Sequence, residues 1–175
     1  MADKAVVGIA RNELQAVHIV EELQSAGFAT DSISLLVPES GDHAMGHEKS
    51  TKMPEGASAG AAAGGLLGGA LGMLAGVGSI AIPGLGAFIA AGPILAALSG
   101  AAAGATAGGL TGALVGLGMP EYEAKQYESR MAGGNLLISV HTESDEQRDL
   151  AKDIFERNNA EGVATAGESA PPKRA

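Results

Sequence analysis

The chain has 175 residues, a length suited to one domain, and is 46% hydrophobic but only 3% aromatic, so its apolar share is mostly Ala, Leu, Val and Ile. A formal net charge of −9 repels phosphate backbones and argues against general nucleic-acid binding. With no cysteine there is no disulfide framework, no thiolate chemistry and no Cys-based zinc site.

The opening "MADKAVVGIARNELQ" lacks the apolar core of a secretory signal, so no export is expected and both termini are assigned to the cytoplasm. "AVVGIA" (residues 5–10) is an apolar run of strand length. Asn12 is a good N-cap, and Gln15 three positions on completes a capping-box pattern. Ala16, Ile19, Val20 and Leu23 then recur at helical spacing. Gly27 stops that helix, because glycine enters the left-handed C′ conformation without a Cβ penalty. "SISLLVP" (residues 32–38) is a second strand, and residues 39–56 read as a polar loop.

All 11 basic and 20 acidic residues lie outside residues 56–120. Within that uncharged middle, Gly60, Gly64, Gly68, Gly72 and Gly76 fall four apart, and so do Gly100, Gly104, Gly108, Gly112 and Gly116. Period four aligns glycines on one helix face and lets a second backbone approach, as in small-xxx-small helix packing. The expectation is a glycine-zipper α-hairpin over residues 57–118, with helices at 57–82 and 94–118 and a turn-rich tip around "SIAIPGLGAFIAAGPIL". A flexible linker would not keep that period or carry Leu66, Leu67, Leu71, Leu110 and Leu114. Each interior glycine costs a helix in water ~1 kcal/mol relative to Ala, which favours a setting where the glycines pack. As helices the two arms span roughly 39 and 37 Å, against a bilayer core of about 30 Å. The main expectation is therefore a transmembrane hairpin, with lipid as partner. The alternative is a soluble cytoplasmic homo-oligomer whose hairpins form its core.

Pro120 suits the first turn of the next helix, "EYEAKQYESRMA", which ends at Gly133-Gly134. "NLLISVH" (residues 135–141) is a strand with Leu136, Ile138 and Val140 on one face. Ser144 and Gln147 form a second capping box ahead of the stripe Leu150, Ala151, Ile154 and Phe155. "GVATA" (residues 162–166) is a weak last strand, and residues 168–175 are a disordered tail. Joined, residues 1–38 and 120–167 read as an α+β, ferredoxin-like split βαβ domain interrupted by the hairpin, with one extra helix before its third strand.

Chemistry-bearing patterns are few. Asp42, His43, His47 and Glu48 crowd the polar loop, where a solvated loop is favoured over a metal site. His18 and His141 read as surface or half-buried residues. Gly76-x-Gly78-x-x-Ala81 mimics a dinucleotide fingerprint by chance, since no strand precedes it and no acid lies about 20 residues on. The acid pairs Glu21-Glu22 and Asp145-Glu146 read as solubilising or as favourable charges at helix starts. No catalytic, cofactor-binding or metal residue is assigned, no small-molecule substrate is identified, and the chain is expected to be no enzyme. The ten zipper glycines are the candidate functional residues.

Two segments together cover nearly the whole chain outside the loop and tail. "VVGIARNELQAVHIVEELQSAGFATDSISLLVPE", with its helix ending in Ala26-Gly27-Phe28 and its strand opening near Asp31, Ile33 and Ser34, resembles a family of bacterial general stress proteins. "PEYEAKQYESRMAGGNLLISVHTESDEQRDLAKDIFERNNAEGV", with Tyr127-Glu128 and Gly133-Gly134, is similar to the other half of that family. The group comprises heat-induced and low-temperature-induced proteins with a glycine-rich hydrophobic middle. Where the family carries Gly-Ala-x-Asp-Ile after its last helix, this chain has "NNAEGVATA". The resemblance implies a stress-associated protein, makes the expected membrane a bacterial inner membrane and brings no catalytic residues with it, while self-association is expected from the glycine zipper. Some similar sequences are labelled as a membrane subunit of a quinol oxidoreductase, which makes an accessory subunit a further alternative.

Overall fold

A computed structural model describes residues 4–38, 77–82, 86–91, 110–116 and 119–166. The chain runs β1 (Lys4–Ala10), α1 (Glu13–Ser25), β2 (Ile33–Pro38), β3 (Val77–Ile82), β4 (Gly86–Ala91), α2 (Leu110–Gly116), α3 (Glu121–Ala132), β5 (Leu136–Thr142), α4 (Asp145–Arg157) and β6 (Glu161–Ala166). The strands form one antiparallel sheet in the order β3-β4-β2-β5-β1-β6. The molecule is thus mixed α+β, with four helices among the described residues.

Both capping predictions hold. Asn12 accepts from the Gln15 amide at 2.9 Å, and Ser144 accepts from the Gln147 amide at 3.2 Å. The two glutamines reach back one residue further than the usual box, accepting from the amides of Arg11 and Glu143 at 2.8 Å. Gln15 also donates to the carbonyls of Asn158 and Asn159, which ties the start of α1 to the end of α4. Gly27 follows α1 with φ +95, and Phe28 N–H closes back on the Leu23 carbonyl, as a C-terminal cap requires. Pro120 is the N-cap of α3 rather than a residue of its first turn.

Strand β5 is buried at five consecutive positions, Leu136–Val140, where a sheet with one wet face would alternate. The cause is a helix layer on each side. Val6, Leu35, Ile138 and Val140 pack in the same core as α1 and α4, whose Ile19, Leu23, Ile154 and Phe155 are fully buried. Val7, Ile9, Leu36 and Leu137 share a second core with Leu110 and Leu114 of α2 and Met131 of α3. Glu128 on α3 fixes α2 in place by accepting from the Thr111 amide at 3.0 Å and from the Thr111 hydroxyl. Removing a partly buried charged acceptor typically costs about 1.5–3 kcal/mol. Glu128→Ala is therefore expected to speed amide exchange at Thr111 by about tenfold or more while β5 amides keep their protection, as hydrogen exchange by NMR would read. Equal acceleration in β5 would show that α2 does not open separately.

Two expectations are corrected. Residues 77–82, placed at the end of the first zipper helix, are strand β3, and residues 86–91 of the supposed tip are strand β4. Val77 pairs with Ala91 and Ile82 with Gly86, and β4 adds this hairpin to β2 through Leu35↔Ala91 and Pro38↔Phe88. Extended backbone at 77–82 cannot belong to a helix over residues 57–82. The transmembrane reading is corrected too: among the described residues, no helix is long and apolar enough to cross a membrane. The expected polar loop 39–56, the rest of the glycine-rich arms and the expected tail 168–175 lie outside the described residues.

Candidate functional site

Polar groups converge where α3 crosses the sheet beside β6. The β6 strand pairs Val7 with Ala164 and Ile9 with Glu161, so two β6 residues, Gly162 and Val163, stand opposite Gly8. Gly162 takes φ +60 there, the left-handed conformation of a glycine bulge. A Cβ there would also lie 2.9 Å from Nη1 of Arg130, so the guanidinium would have to shift. The bulge turns the Gly162 carbonyl toward α3, and the Tyr127 hydroxyl donates to it, with the Val7 carbonyl 3.4 Å away. Burial pushes the Tyr127 phenol well above its usual range, with the Glu123 carboxylate adding to the shift.

Glu161 completes the cluster. Arg11 pairs with one of its oxygens through both Nε and Nη2, and Nη1 of Arg130 lies 3.6 Å from the other. A cavity of about 180 Å³ opens beside this group, lined by Glu123, Gln126, Tyr127, Arg130 and residues 162–164. Its phenol is neutral and already donating, and its Arg130, like Arg11 nearby, lies against Glu161. The arrangement therefore clamps helix α3 and the end of β1 onto an edge strand.

A second, shallower groove lies between α1 and the end of α4, bounded by His18, Glu21, Glu22, Ser25 and Asn158. Glu22 accepts from Asn158 Nδ2 at 2.5 Å and pairs with Arg157 at 2.7 Å. Of the other acid pair, Asp145 faces Arg148 at 2.7 Å and Lys4 at 3.4 Å. Among the described residues, no group of three or more His, Asp or Glu is placed to hold a metal ion. Asp42, His43, His47 and Glu48 lie outside them. Gly78 and Ala81 of the dinucleotide-like pattern sit within β3, which is not the strand-to-helix turn that phosphate binding needs.

Of the ten zipper glycines, Gly112 and Gly116 lie in α2. Gly60, Gly64, Gly68, Gly72, Gly76, Gly100, Gly104 and Gly108 fall outside the described residues. What sequence reasoning missed is the uncharged sheet edge formed by β3. The signal was present, since "VGSIAI" and "GAFIAA" are two apolar six-residue runs separated by Pro-Gly-Leu. The Tyr127–Gly162 and Arg11–Glu161–Arg130 contacts carried no comparable signal, because they depend on α3 crossing a sheet built from both ends of the chain. No family model matches the chain, and no curated protein or solved structure is found similar to it.

Proposed function

We propose that this chain is a self-associating structural protein without catalytic activity, of the bacterial stress-associated type that its two charged ends resemble. Its four strands β1, β2, β5 and β6 stand in the order β2-β5-β1-β6, with α1 and α4 crossing one face. That order supports a ferredoxin-like reading of the two ends, with α3 as the extra helix ahead of β5 and with β3, β4 and α2 as additions from the middle.

One observation carries the functional reading. The only long stretch without formal charge, residues 56–120, supplies two strands that carry the sheet outward to an uncharged edge. Sheet edges offer backbone donors and acceptors to another chain, and charged side chains are one of the devices that prevent it. Sedimentation velocity of the full chain without detergent tests the reading across a concentration series. The expected result is a species heavier than the 17.3 kDa chain, growing with concentration. A single 17.3 kDa species at every concentration would end it.

A further inference from the structure

Most charged and hydroxyl side chains of α3 are engaged in holding it. Tyr127 donates to the Gly162 carbonyl, Arg130 pairs with Glu161, Glu128 accepts from Thr111, and Lys125 pairs with Glu121. Glu123 is different. It is half-buried on the wall of the cavity between α3 and β6, and among the described residues it takes part in no hydrogen bond or ion pair. A part-buried carboxylate without a counter-charge favours the arrival of a cation.

The other end of the cavity carries the opposite sign. Glu123, Gln126, Tyr127 and Arg130 fall at helical spacings of three and four, so they share one face of α3, and all four line the cavity. Arg130 is only partly compensated. Its partner Glu161 also serves Arg11, which lies closer, and Nη1 of Arg130 stands 3.6 Å away, beyond hydrogen-bond distance. Both charges act on the Tyr127 phenol, Glu123 opposing its ionisation and Arg130 favouring it. Gln126 adds an amide that can donate or accept. Ala164, which packs with the core on the α3 side of the sheet, supplies apolar lining.

We propose that the cavity between α3 and β6 binds a small ω-amino acid, with its ammonium on Glu123 and its carboxylate on Arg130. Such binding goes beyond self-association and does not depend on it. Size limits the ligand. A cavity of ~150 Å³ admits a benzene ring, so one of about 180 Å³ suits roughly seven or eight non-hydrogen atoms. Charge spacing limits it further. Seven positions of helical rise separate the backbones of Glu123 and Arg130 by about 10 Å. An α-amino acid carries both charges on one carbon, whereas γ-aminobutyrate and δ-aminovalerate place them at opposite ends of a methylene stem.

The test titrates the full chain, labelled with nitrogen-15, at neutral pH and constant ionic strength. The probes are γ-aminobutyrate, δ-aminovalerate, glycine, butylamine and butyrate, each added separately. The expected result is saturable amide shifts at Gln126, Gly162, Val163 and Ala164 with γ-aminobutyrate or δ-aminovalerate. Glycine and the two singly charged probes should bind about tenfold more weakly or worse, since each leaves one charge unmet. Glu123→Gln removes the charge of a side chain that holds nothing in the described fold, and should weaken the better ligand by about tenfold or more. Shifts that do not saturate, glycine, butylamine or butyrate binding as tightly as the longer zwitterions, or unchanged affinity in Glu123→Gln would each overturn the assignment.

Discussion

Gly8→Ala is expected to destabilise the fold by about 1–3 kcal/mol, a large effect for one methyl group. A Cβ on Gly8 would stand 2.6 Å from Cδ1 and 2.9 Å from Cε1 of Phe155, distances that packed carbon atoms do not tolerate. The ring cannot retreat easily, because Phe155 is fully buried beneath β1. Replacing glycine restricts the unfolded chain and returns about 0.4–1 kcal/mol, too little to offset the clash. Phe155→Ala alone should cost about 3–5 kcal/mol through lost burial and the cavity left behind. The two changes are coupled by the same space. In a Phe155→Leu background, Gly8→Ala should cost less than in the native chain, with an interaction energy of about 0.5–3 kcal/mol. Urea midpoints at constant m-value measure this cycle. Strict additivity of the two substitutions would mean that the close approach of β1 and α4 does not limit what residue 8 can be.

The second large effect concerns Tyr127 in alkali. Burial raises its phenol in the folded state, so the neutral form is the one the fold stabilises. That stabilisation is complete below the ordinary tyrosine value of about 10 and is lost as pH climbs from there toward the raised folded value. Within that window the unfolded chain releases a proton that the folded chain keeps, and stability falls by up to about 1.4 kcal/mol per pH unit from this group alone. Tyr127→Phe should remove this slope. At neutral pH the same variant should be weaker than the native chain by about 0.5–1.5 kcal/mol, since the Gly162 carbonyl loses its donor. The stability curves of the two proteins should therefore approach or cross above pH 10. Parallel curves from pH 8 to 11 would show that Tyr127 is not held neutral by its surroundings.

Much of the domain built from the two chain ends was legible in the sequence because its signals are local. Asn12 and Ser144 mark helix starts by their own side chains, and Gly27 marks a helix end by its own backbone. The strand around Leu136–Thr142 announces itself by Leu136, Leu137, Ile138 and Val140 just after a Gly-Gly stop. The middle was less legible because two rules competed over one composition. Glycines four apart and runs of Ala and Leu argue for packed helices, and α2 keeps that pattern at Gly112 and Gly116. The same uncharged stretch carries Ile80, Ile82, Phe88 and Ile89 around a Pro-Gly pair, and there strand pairing prevails. Period-four spacing constrains only the glycines, whereas β-branched and aromatic neighbours favour extended backbone. The Tyr127–Gly162 contact depends on a bulge whose left-handed residue could be placed only after the pairing of β1 with β6 was known.

The central pairing of β1 with β5 also has a consequence in time. Lys4 and Thr142, hydrogen-bonded across these strands, stand 138 positions apart in the chain. On the ribosome, at about 5–20 residues per second, β1 waits on the order of ten seconds for its partner. Throughout that wait β1 and β2 lack β5, the strand that pairs with both, while the whole uncharged middle emerges between them. Contacts so distant in sequence also make the search for the native pairing slow after release. The newborn chain therefore passes through an interval in which its most apolar segment is complete and its sheet is not, so its yield in the cell depends on what shields that segment until β5 arrives.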